Sequence, residues 1–332
     1  MVKKALFLTL SSTLIASAEE RPSIGSIVPH DASFSELIDT NAKIEVLASG
    51  FIWSEGPAWD KDNNRILFSD VPKNTVYQWS EKEGLSVYLT PSGYTGPSEY
   101  SSERGSNGLA FNPKGQLLSC EHGDRRVSIL SQNGGGKITL ADRVDGQRFN
   151  SPNDLTLHKD GSVYFTDPPY GLPKKQNDPT RETTIFGVYR IARDGKVTTV
   201  IDNLDRPNGI TLSPDHQTLY IAQSHGGKAW ILSYPVNADG SLGKENLLFD
   251  ANALSKKYPG MPDGLKTDTK GNIWTTGPGG VLVISPDGKL LGHILTGNRT
   301  ANCGWGDDGS TLYMTADSYL LRVKTKTKGA GF

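Results

Sequence analysis

Six stretches of the chain repeat one pattern, and this repetition constrains the fold more than any other feature. Each stretch begins with a side chain that carries an oxygen atom, then has a short apolar run, a tight polar turn and a second β-rich run. Successive first residues lie roughly 40 to 55 positions apart, which is the spacing of propeller blades or solenoid turns. We call these first residues the ring positions: Glu55, Asn107, Asn153, Asn208, Asp263 and Asn302.

Each repeat has enough β-rich segments for a blade of antiparallel strands. The third repeat shows them most clearly as LTLHK, SVYFTD, FGVYRIA and KVTTVID, separated by Gly and Asp turns. A single repeat cannot bury a hydrophobic face alone, so the repeats should stack into one closed body. The sequence therefore predicts an all-β fold, a six-bladed β-propeller of four-stranded antiparallel blades, over residues 41–328.

The two ends of this ring should meet in the last blade. The sixth repeat contains three β-rich segments, whereas residues 43–49, KIEVLAS, have the pattern of the missing outer strand. We expect this N-terminal strand to complete the sixth blade, because a closed ring leaves no unpaired strand edge between its ends. Residues 19–40 form a lead-in to which the sequence assigns no structure.

The first 18 residues have the pattern of a secretory signal. Lys3 and Lys4 precede an apolar stretch, and Ala16-Ser17-Ala18 forms a small-x-small cleavage sequence. The apolar stretch is shorter than the roughly 20 residues that span a bilayer, which disfavours a membrane anchor. We expect residues 1–18 to be removed and the mature protein to be periplasmic or secreted, without a membrane partner.

Charge and cysteine content narrow the possible partners. The chain has 35 Lys and Arg against 36 Asp and Glu, and the basic residues are scattered among the acids. Nucleic-acid binding usually requires a clustered basic face, so no nucleic-acid partner is expected.

Cys120 and Cys303 fall in different blades at different depths, which favours two buried free thiols over a disulfide. The oligomeric state is not determined by the sequence.

Loop lengths indicate which end of the propeller carries the site. Turns between first and second strands, and between third and fourth strands, are short in every blade. The long connections should lie on the opposite face, where each inner strand begins with its ring residue. Long loops at one end of a rigid scaffold are the usual place for a binding site.

The ring positions offer carboxylate and amide oxygens around one axis. Two carboxylates would balance a divalent charge, and Ca2+ tolerates such an oxygen cage better than octahedral Mg2+, although other divalent cations are possible. Zn2+ would prefer nitrogen or sulfur ligands. Alternatively, each Asn-Gly or Asp-Gly pair could simply form a turn. Six such positions in register favour a metal site.

Several motifs resemble a known family. SEGPAW at 54–59, SPNDL at 151–155, RPNGI at 206–210 and PDGLK at 262–266 are similar to metal-binding stretches of the gluconolactonase and senescence-marker-protein family, which are calcium-dependent six-bladed propeller lactonases. EHGDRRV at 121–127 and YFTDPPYGL at 164–172 resemble its bacterial gluconolactonase members. The resemblance implies that the metal ligands are Glu55, Asn153, Asn208 and Asp263, and that Asp263 is also the candidate catalytic acid or base.

The resemblance implies hydrolysis of a sugar lactone such as gluconolactone, with Ca2+ polarising the carbonyl. His122 and His225 are rival candidates for the base. Animal members carry an arginine where this chain has Ser151, so that substrate contact does not transfer. The candidate substrate contacts are Asn107, His122, Arg148 and Tyr170. The alternative function is a non-catalytic binding propeller of the cell envelope, in which Ca2+ only stabilises the central channel.

Overall fold

A computed structural model describes residues 20–131 and 136–332. The predicted signal segment, residues 1–18, lies outside these ranges. Helices in the described part are limited to two 3-10 segments, Ala32–Glu36 and Lys175–Asn177, and one α-helical turn, Asn252–Ser255. None of the helices in those ranges is long and apolar enough to cross a bilayer.

The predicted six-bladed β-propeller is confirmed. Each blade is an antiparallel sheet, and the first strands of successive blades contact one another around the central channel. Blade one consists of Ser54–Asp60, Arg65–Asp70, Thr75–Ser80 and Gly84–Leu89. Blade two consists of Ser106–Phe111, Leu117–Glu121, Arg126–Leu130 and Lys137–Ala141. Blade three consists of Leu155–Leu157, Val163–Thr166, Val188–Ile191 and Val197–Ile201.

The remaining blades follow the same order. Blade four consists of Pro207–Leu212, Thr218–His225, Lys228–Pro235 and Asn246–Asp250. Blade five consists of Leu265–Thr267, Ile273–Gly277, Gly280–Ile284 and Leu290–Leu295. Blade six consists of Thr300–Gly306, Thr311–Ala316 and Tyr319–Lys324, with an outer strand from the N-terminal region. A separate two-stranded hairpin, Arg143–Val144 with Gln147–Arg148, lies in the connection between blades two and three.

The N-terminal strand closes the ring as predicted. Glu45–Ser49 pairs antiparallel with Tyr319–Lys324, in a register that places Glu45 opposite Arg322. The Arg322 guanidinium donates to the Glu45 carboxylate at 2.7 Å, so an ion pair accompanies the backbone pairing. The outer edge of blade six is therefore covered by a strand from the other end of the propeller.

The lead-in segment also belongs to the propeller, which the sequence analysis did not predict. Ser26–Pro29 pairs antiparallel with Leu290–Leu295 and gives blade five a fifth strand. The 3-10 segment that follows buries Phe34 completely in a core shared by blades five and six. A four-residue strand has too little periodicity to be recognised before its partner strand is known.

Hydroxyl groups form hydrogen bonds between neighbouring blades at the level of the ring residues. Ser69 Oγ, on the second strand of blade one, donates to the backbone carbonyl of Asn107 in blade two at 2.9 Å. Thr166 Oγ1, at the equivalent place in blade three, donates to the carbonyl of Asn208 in blade four at 2.6 Å. These bonds hold the ring residues of successive blades at a common level.

The glycines that follow ring residues are required by close approach at the channel. A Cβ atom on Gly209 would lie 2.0 Å from the backbone oxygen of Asp263. A Cβ atom on Gly264 would lie 2.0 Å from Oδ1 of Asn302. The small residue at this point of the repeat therefore lets adjacent inner strands come close enough for their side chains to share one centre.

Both cysteines are buried and free, as expected. Cys120 packs in the core between blades two and three, and Cys303 packs in the core of blades five and six. Burial raises the pKa of each thiol, which keeps both in the unreactive thiol form.

Candidate active site

Five of the six ring residues line one cavity at the mouth of the central channel. Its volume is about 800 Å³, within the range of small-molecule sites. The five are Glu55, Asn107, Asn153, Asn208 and Asp263. The sixth, Asn302, does not line the cavity but donates from Nδ2 to Oε2 of Glu55 at 3.2 Å. The structure thus brings together all four predicted metal ligands, whose role as ligands stays a prediction.

Irregular pairing at the start of the inner strands accounts for this convergence. The register of the inner strand shifts at the ring residue in blades one, two, four and six. In blades three and five, the ring residue comes just before the first paired residues, Leu155 and Leu265. A bulge or a strand end frees a side chain from the regular alternation and lets it point along the channel.

Three of the long loops reach the same cavity. Glu103 comes from the loop before blade two, Tyr170 and Lys175 from the loop inside blade three, and Met261 from the loop before blade five. The prediction that long loops and ring residues share one mouth is confirmed for these loops. Arg148 does not line the cavity; its Nη2 donates to the backbone oxygen of Asp124 at 3.1 Å.

Three buried carboxyl groups lie close together at the cavity. Burial raises the pKa of Glu55, and the nearby charge of Asp154 raises it further. Burial likewise raises the pKa of Asp263, with further contributions from Glu55 and Asp154. Asp154 is itself 2% exposed, and burial raises its pKa. Such a cluster favours either bound protons or a cation.

Asp154 is a residue that the sequence analysis did not single out. It follows the ring residue Asn153 directly, where blades one, two, four and five have glycine. Its Oδ1 accepts from the backbone N–H of Leu155 at 2.9 Å, and its buried Oδ2 has no hydrogen-bond partner within the described part of the chain. An acid at a position where most other blades have a small residue was the sequence signal that could have identified Asp154.

The ring amides are linked to one another by hydrogen bonds. Asn107 Nδ2 donates to Asn153 Oδ1 at 3.0 Å, and Asn153 Nδ2 donates to Asn208 Oδ1 at 2.5 Å. Asn208 Nδ2 donates in turn to Ser224 Oγ at 2.9 Å. The buried Oδ1 of Asn107 finds no partner among the described residues. Its unused acceptor capacity leaves the ring open to a ligand or a different amide orientation.

Neither candidate histidine faces the cavity. His122 is fully buried behind Asn153, with Nε2 lying 3.1 Å from Asn153 Oδ1 and Nδ1 lying 3.0 Å from the backbone oxygen of Glu103. Burial lowers its pKa. His225 lines a separate cavity together with Leu204. Of the three candidate bases, Asp263 is therefore the one that lines the main cavity.

Cationic side chains stand at the cavity mouth. Lys175 pairs with Glu103 at 2.8 Å, and Arg206 lies over the ring of Tyr170 with its guanidinium carbon 5.8 Å from the ring centroid. Arg299 is exposed and makes no hydrogen bond or ion pair within residues 20–131 and 136–332. Sequence reasoning missed both arginines, although Arg206 precedes the ring residue Asn208 by two positions.

The donor set fits a hard cation. Within the described ranges, no three His, Cys, Asp or Glu side chains are grouped as metal ligands. Two of the four predicted ligands, however, are asparagines, which contribute amide oxygens instead of charged groups. Two buried carboxylates with raised pKa values and two amides around one cavity provide the oxygen ligands that Ca2+ prefers.

Residues 53–318 match the profile of a family described as the SMP-30/Gluconolactonase/LRE-like region. The chain belongs to this family. It is 36% identical to a gluconolactonase of Zymomonas mobilis over 97% of this chain and 94% of that protein. It is also 26% identical to regucalcin of Bos taurus, over 83% of this chain and 87% of that protein.

A solved member of the family has the same architecture. A gluconolactonase from Xanthomonas campestris superposes with a TM-score of 0.79 at 30% identity, covering 92% of this chain and 97% of that one. The family region contains every ring position but excludes the lead-in segment, which adds a strand to blade five. The resemblance drawn from the sequence motifs is confirmed.

Proposed function

We propose that this protein hydrolyses a sugar lactone, such as gluconolactone, to the corresponding hydroxy acid in a Ca2+-dependent reaction. The chain is a lactone hydrolase of the SMP-30/gluconolactonase family, to which it is related along nearly its whole length. The observation that carries the proposal is the convergence of Glu55, Asp263 and the ring amides in one cavity.

Four side chains would hold the ion: Glu55, Asn153, Asn208 and Asp263. Bound there, Ca2+ would supply a Lewis acid that polarises the lactone carbonyl. The two carboxylates offset its charge, and the two amides complete the protein's share of an oxygen shell. The raised pKa values of Glu55 and Asp263 reflect how poorly these buried charges are balanced by the protein alone.

Asp263 is the proposed acid and base. It lines the cavity, so its carboxylate can take a proton from the water that attacks the lactone carbonyl carbon. As the bond between that carbon and the ring oxygen breaks, the same proton can pass to the leaving oxygen and produce the hydroxyl of the product. Proton transfer by a positioned side chain typically accelerates such reactions by about 100-fold to 10,000-fold.

The cavity mouth favours a polar substrate. Arg206, Arg299 and Tyr170 line the same cavity and carry donors to which lactone hydroxyls or the product carboxylate could bind. Lys175 is already paired with Glu103, which leaves Arg299 as a cation without a protein partner in the described part of the chain. Guanidinium groups bind carboxylates and hydroxyls through a planar array of N–H donors.

We also propose export from the cytoplasm, because residues 1–18 have the pattern of a cleaved secretory signal. Intact-mass measurement on protein recovered from the periplasm or medium tests this. The expected mass lacks residues 1–18, and a mature protein that retains Met1 would contradict export by this route.

The function is tested by measuring lactone hydrolysis before and after chelation. We expect hydrolysis of gluconolactone above the spontaneous rate, its loss in EDTA, and its return when Ca2+ is added to the dialysed protein. Parallel additions of Mg2+ and Zn2+ show whether other divalent cations restore hydrolysis. Tight Ca2+ binding without hydrolysis of any five- or six-membered sugar lactone would favour the non-catalytic binding propeller instead. Full activity in EDTA would contradict the metal dependence.

A further inference from the structure

We infer that His122 and Ser224 are positioning residues that turn the amide oxygens of Asn153 and Asn208 toward each other, so that the gap between these oxygens becomes the cation site. The inference rests on the proposed metal-dependent function and assigns roles to two residues that need not touch the metal or the lactone. Each of them connects a ring amide to a backbone carbonyl, and a carbonyl oxygen can only accept a hydrogen bond.

The orientation of Asn208 follows from Ser224. The Ser224 hydroxyl has one hydrogen, and this hydrogen is donated to the backbone oxygen of Pro262. Ser224 Oγ must then act as the acceptor toward Asn208, whose Nδ2 lies 2.9 Å away. With its NH2 group held by Ser224, the oxygen of Asn208 faces Asn153.

The orientation of Asn153 follows in the same way from His122. Nδ1 of His122 lies 3.0 Å from the backbone oxygen of Glu103, so Nδ1 must carry a hydrogen. The ring is fully buried and has no hydrogen bond to a carboxylate among the described residues, which favours the neutral imidazole. The second nitrogen, Nε2, is then an acceptor.

The acceptor at Nε2 requires a donor from Asn153. The Asn153 atom that lies 3.1 Å from Nε2 must therefore be its NH2 group, because oxygen and nitrogen of an amide are assigned from their hydrogen-bond partners. This orientation is the reverse of the one in which Asn153 donates to Asn208. If the Asn107 amide turns as well, its buried and unpartnered oxygen gains a donor from Asn153.

The reversal places two amide oxygens against each other. The terminal atoms of Asn153 and Asn208 that meet there are 2.5 Å apart, and two oxygens at that separation repel unless they move apart around a shared positive charge. Glu55 and Asp263 line the same cavity and supply the negative charge that such a cation needs. The hydrogen-bond requirements of His122 and Ser224 are thus best met when a cation is bound.

Two variants of His122 separate its two contacts. His122→Gln can still present an acceptor near the Nε2 position but loses the donor at the Nδ1 position that contacts the Glu103 carbonyl. His122→Asn can still donate near the Nδ1 position but cannot reach Asn153. Ca2+ affinity is measured by titration calorimetry on the dialysed full-length protein. We expect His122→Asn to weaken Ca2+ binding by about 10-fold or more, the usual range for lost support of a metal ligand, and His122→Gln to weaken it less than about threefold.

Unfolding temperatures in EDTA show whether both variants are folded. Equal losses of Ca2+ affinity in the two variants, or no loss in His122→Asn, would overturn the inference. Absence of Ca2+ binding by the wild-type protein would instead overturn the proposed function on which the inference rests. Ser224→Ala provides a second test, because it removes the acceptor that orients Asn208 while leaving His122 in place; unchanged Ca2+ affinity would contradict the role of Ser224.

The tautomer of His122 gives a readout that does not depend on activity. Long-range 1H–15N NMR spectra of protein labelled at histidine distinguish protonated from unprotonated ring nitrogens. We expect a neutral His122 ring with the hydrogen on Nδ1 and an unprotonated Nε2 in the Ca2+-loaded protein. A hydrogen on Nε2, either alone or together with one on Nδ1, would mean that the oxygen of Asn153 faces His122, and the inference would fail.

Discussion

Asn302 donates a hydrogen bond to Glu55 across the seam between the last and the first blade, although the two residues are 247 positions apart in sequence. Asn302→Asp would replace this donor with a like charge beside a buried carboxylate. We expect the free energy of unfolding in EDTA to fall by at least about 2 kcal/mol, because a buried charged group without a partner is costly. Chemical denaturation with and without Ca2+ measures this.

Calcium should distinguish this effect from simple loss of packing. Added Ca2+ should recover part of the stability of Asn302→Asp, since a nearby cation offsets the extra carboxylate. Asn302→Ala is the control, because it removes the donor without adding charge and should show no more calcium stabilisation than the wild type. Equal behaviour of the two variants would contradict the electrostatic explanation.

Asp263→Asn should abolish most lactone hydrolysis even at saturating Ca2+. The variant keeps an oxygen that can bind the metal but loses the basicity needed to move a proton, and we expect kcat to fall by about 100-fold or more. Steady-state kinetics across a Ca2+ titration separate a defect in chemistry from one in affinity. Recovery of wild-type kcat at high Ca2+ would restrict Asp263 to metal binding.

A matched control for this variant lies in the same blade. Asp268 is a fully buried carboxylate that accepts hydrogen bonds from Asn272 and from Trp274 Nε1. It does not line the cavity. Asp268→Asn should therefore lower the unfolding temperature while leaving kcat close to that of the wild type.

Arg299→Gln should weaken substrate binding without changing the chemical step. Arg299 is exposed at the cavity mouth and has no protein partner in the described ranges, so its loss removes a contact that ground state and transition state share. We expect KM to rise by up to about 10-fold with kcat and Ca2+ affinity retained. An unchanged KM would exclude a contact between Arg299 and the substrate.

Phe34→Ala should destabilise the whole propeller, because the lead-in contributes to its core. Phe34 is 0% exposed, and its ring lies against Gly292 on the strand that pairs with the lead-in. Removing a buried phenyl ring costs about 3–5 kcal/mol. Denaturant unfolding measures the loss, and the exposed neighbour Ser35→Ala serves as the control. A loss below about 1 kcal/mol would show that the lead-in docks only weakly.

His293 should make the protein less stable in mild acid. Burial, with a smaller contribution from His30, lowers the pKa of His293 to about 4. An unfolded histidine has a pKa of about 6.5, so below that pH the unfolded chain binds a proton that the folded chain does not. The free energy of unfolding should therefore fall by about 3 kcal/mol as the pH drops from about 6.5 to about 4.

Comparing His293→Gln with the wild type isolates this contribution. Within the described ranges, the titratable side chains whose rings lie near His293 are those of His30 and Tyr258, and both are kept in the variant. The stability difference between the two proteins, measured by denaturation at pH 8 and at pH 5, should shift in favour of the variant at the lower pH. The same difference at both values would contradict the role of His293.

The sequence by itself determined the blades, the ring positions and the closing strand. These features depend on local patterns that recur at a fixed spacing: an oxygen-bearing residue, a glycine, an apolar run and a turn. Because side chains alternate along a strand and blades repeat around one axis, residues such as Glu55 and Asp263 could be placed at a common centre from their register alone. The family motifs lie at the same positions.

Only the tertiary structure decided what surrounds each of these residues. It placed His122 behind Asn153, brought Asp154 beneath the cavity, and paired the lead-in strand with blade five. None of these contacts follows a repeat, since each depends on how far a loop reaches or on which partner is left unpaired. Burial and hydrogen-bond partners, and therefore pKa and amide orientation, arise from contacts between residues distant in sequence.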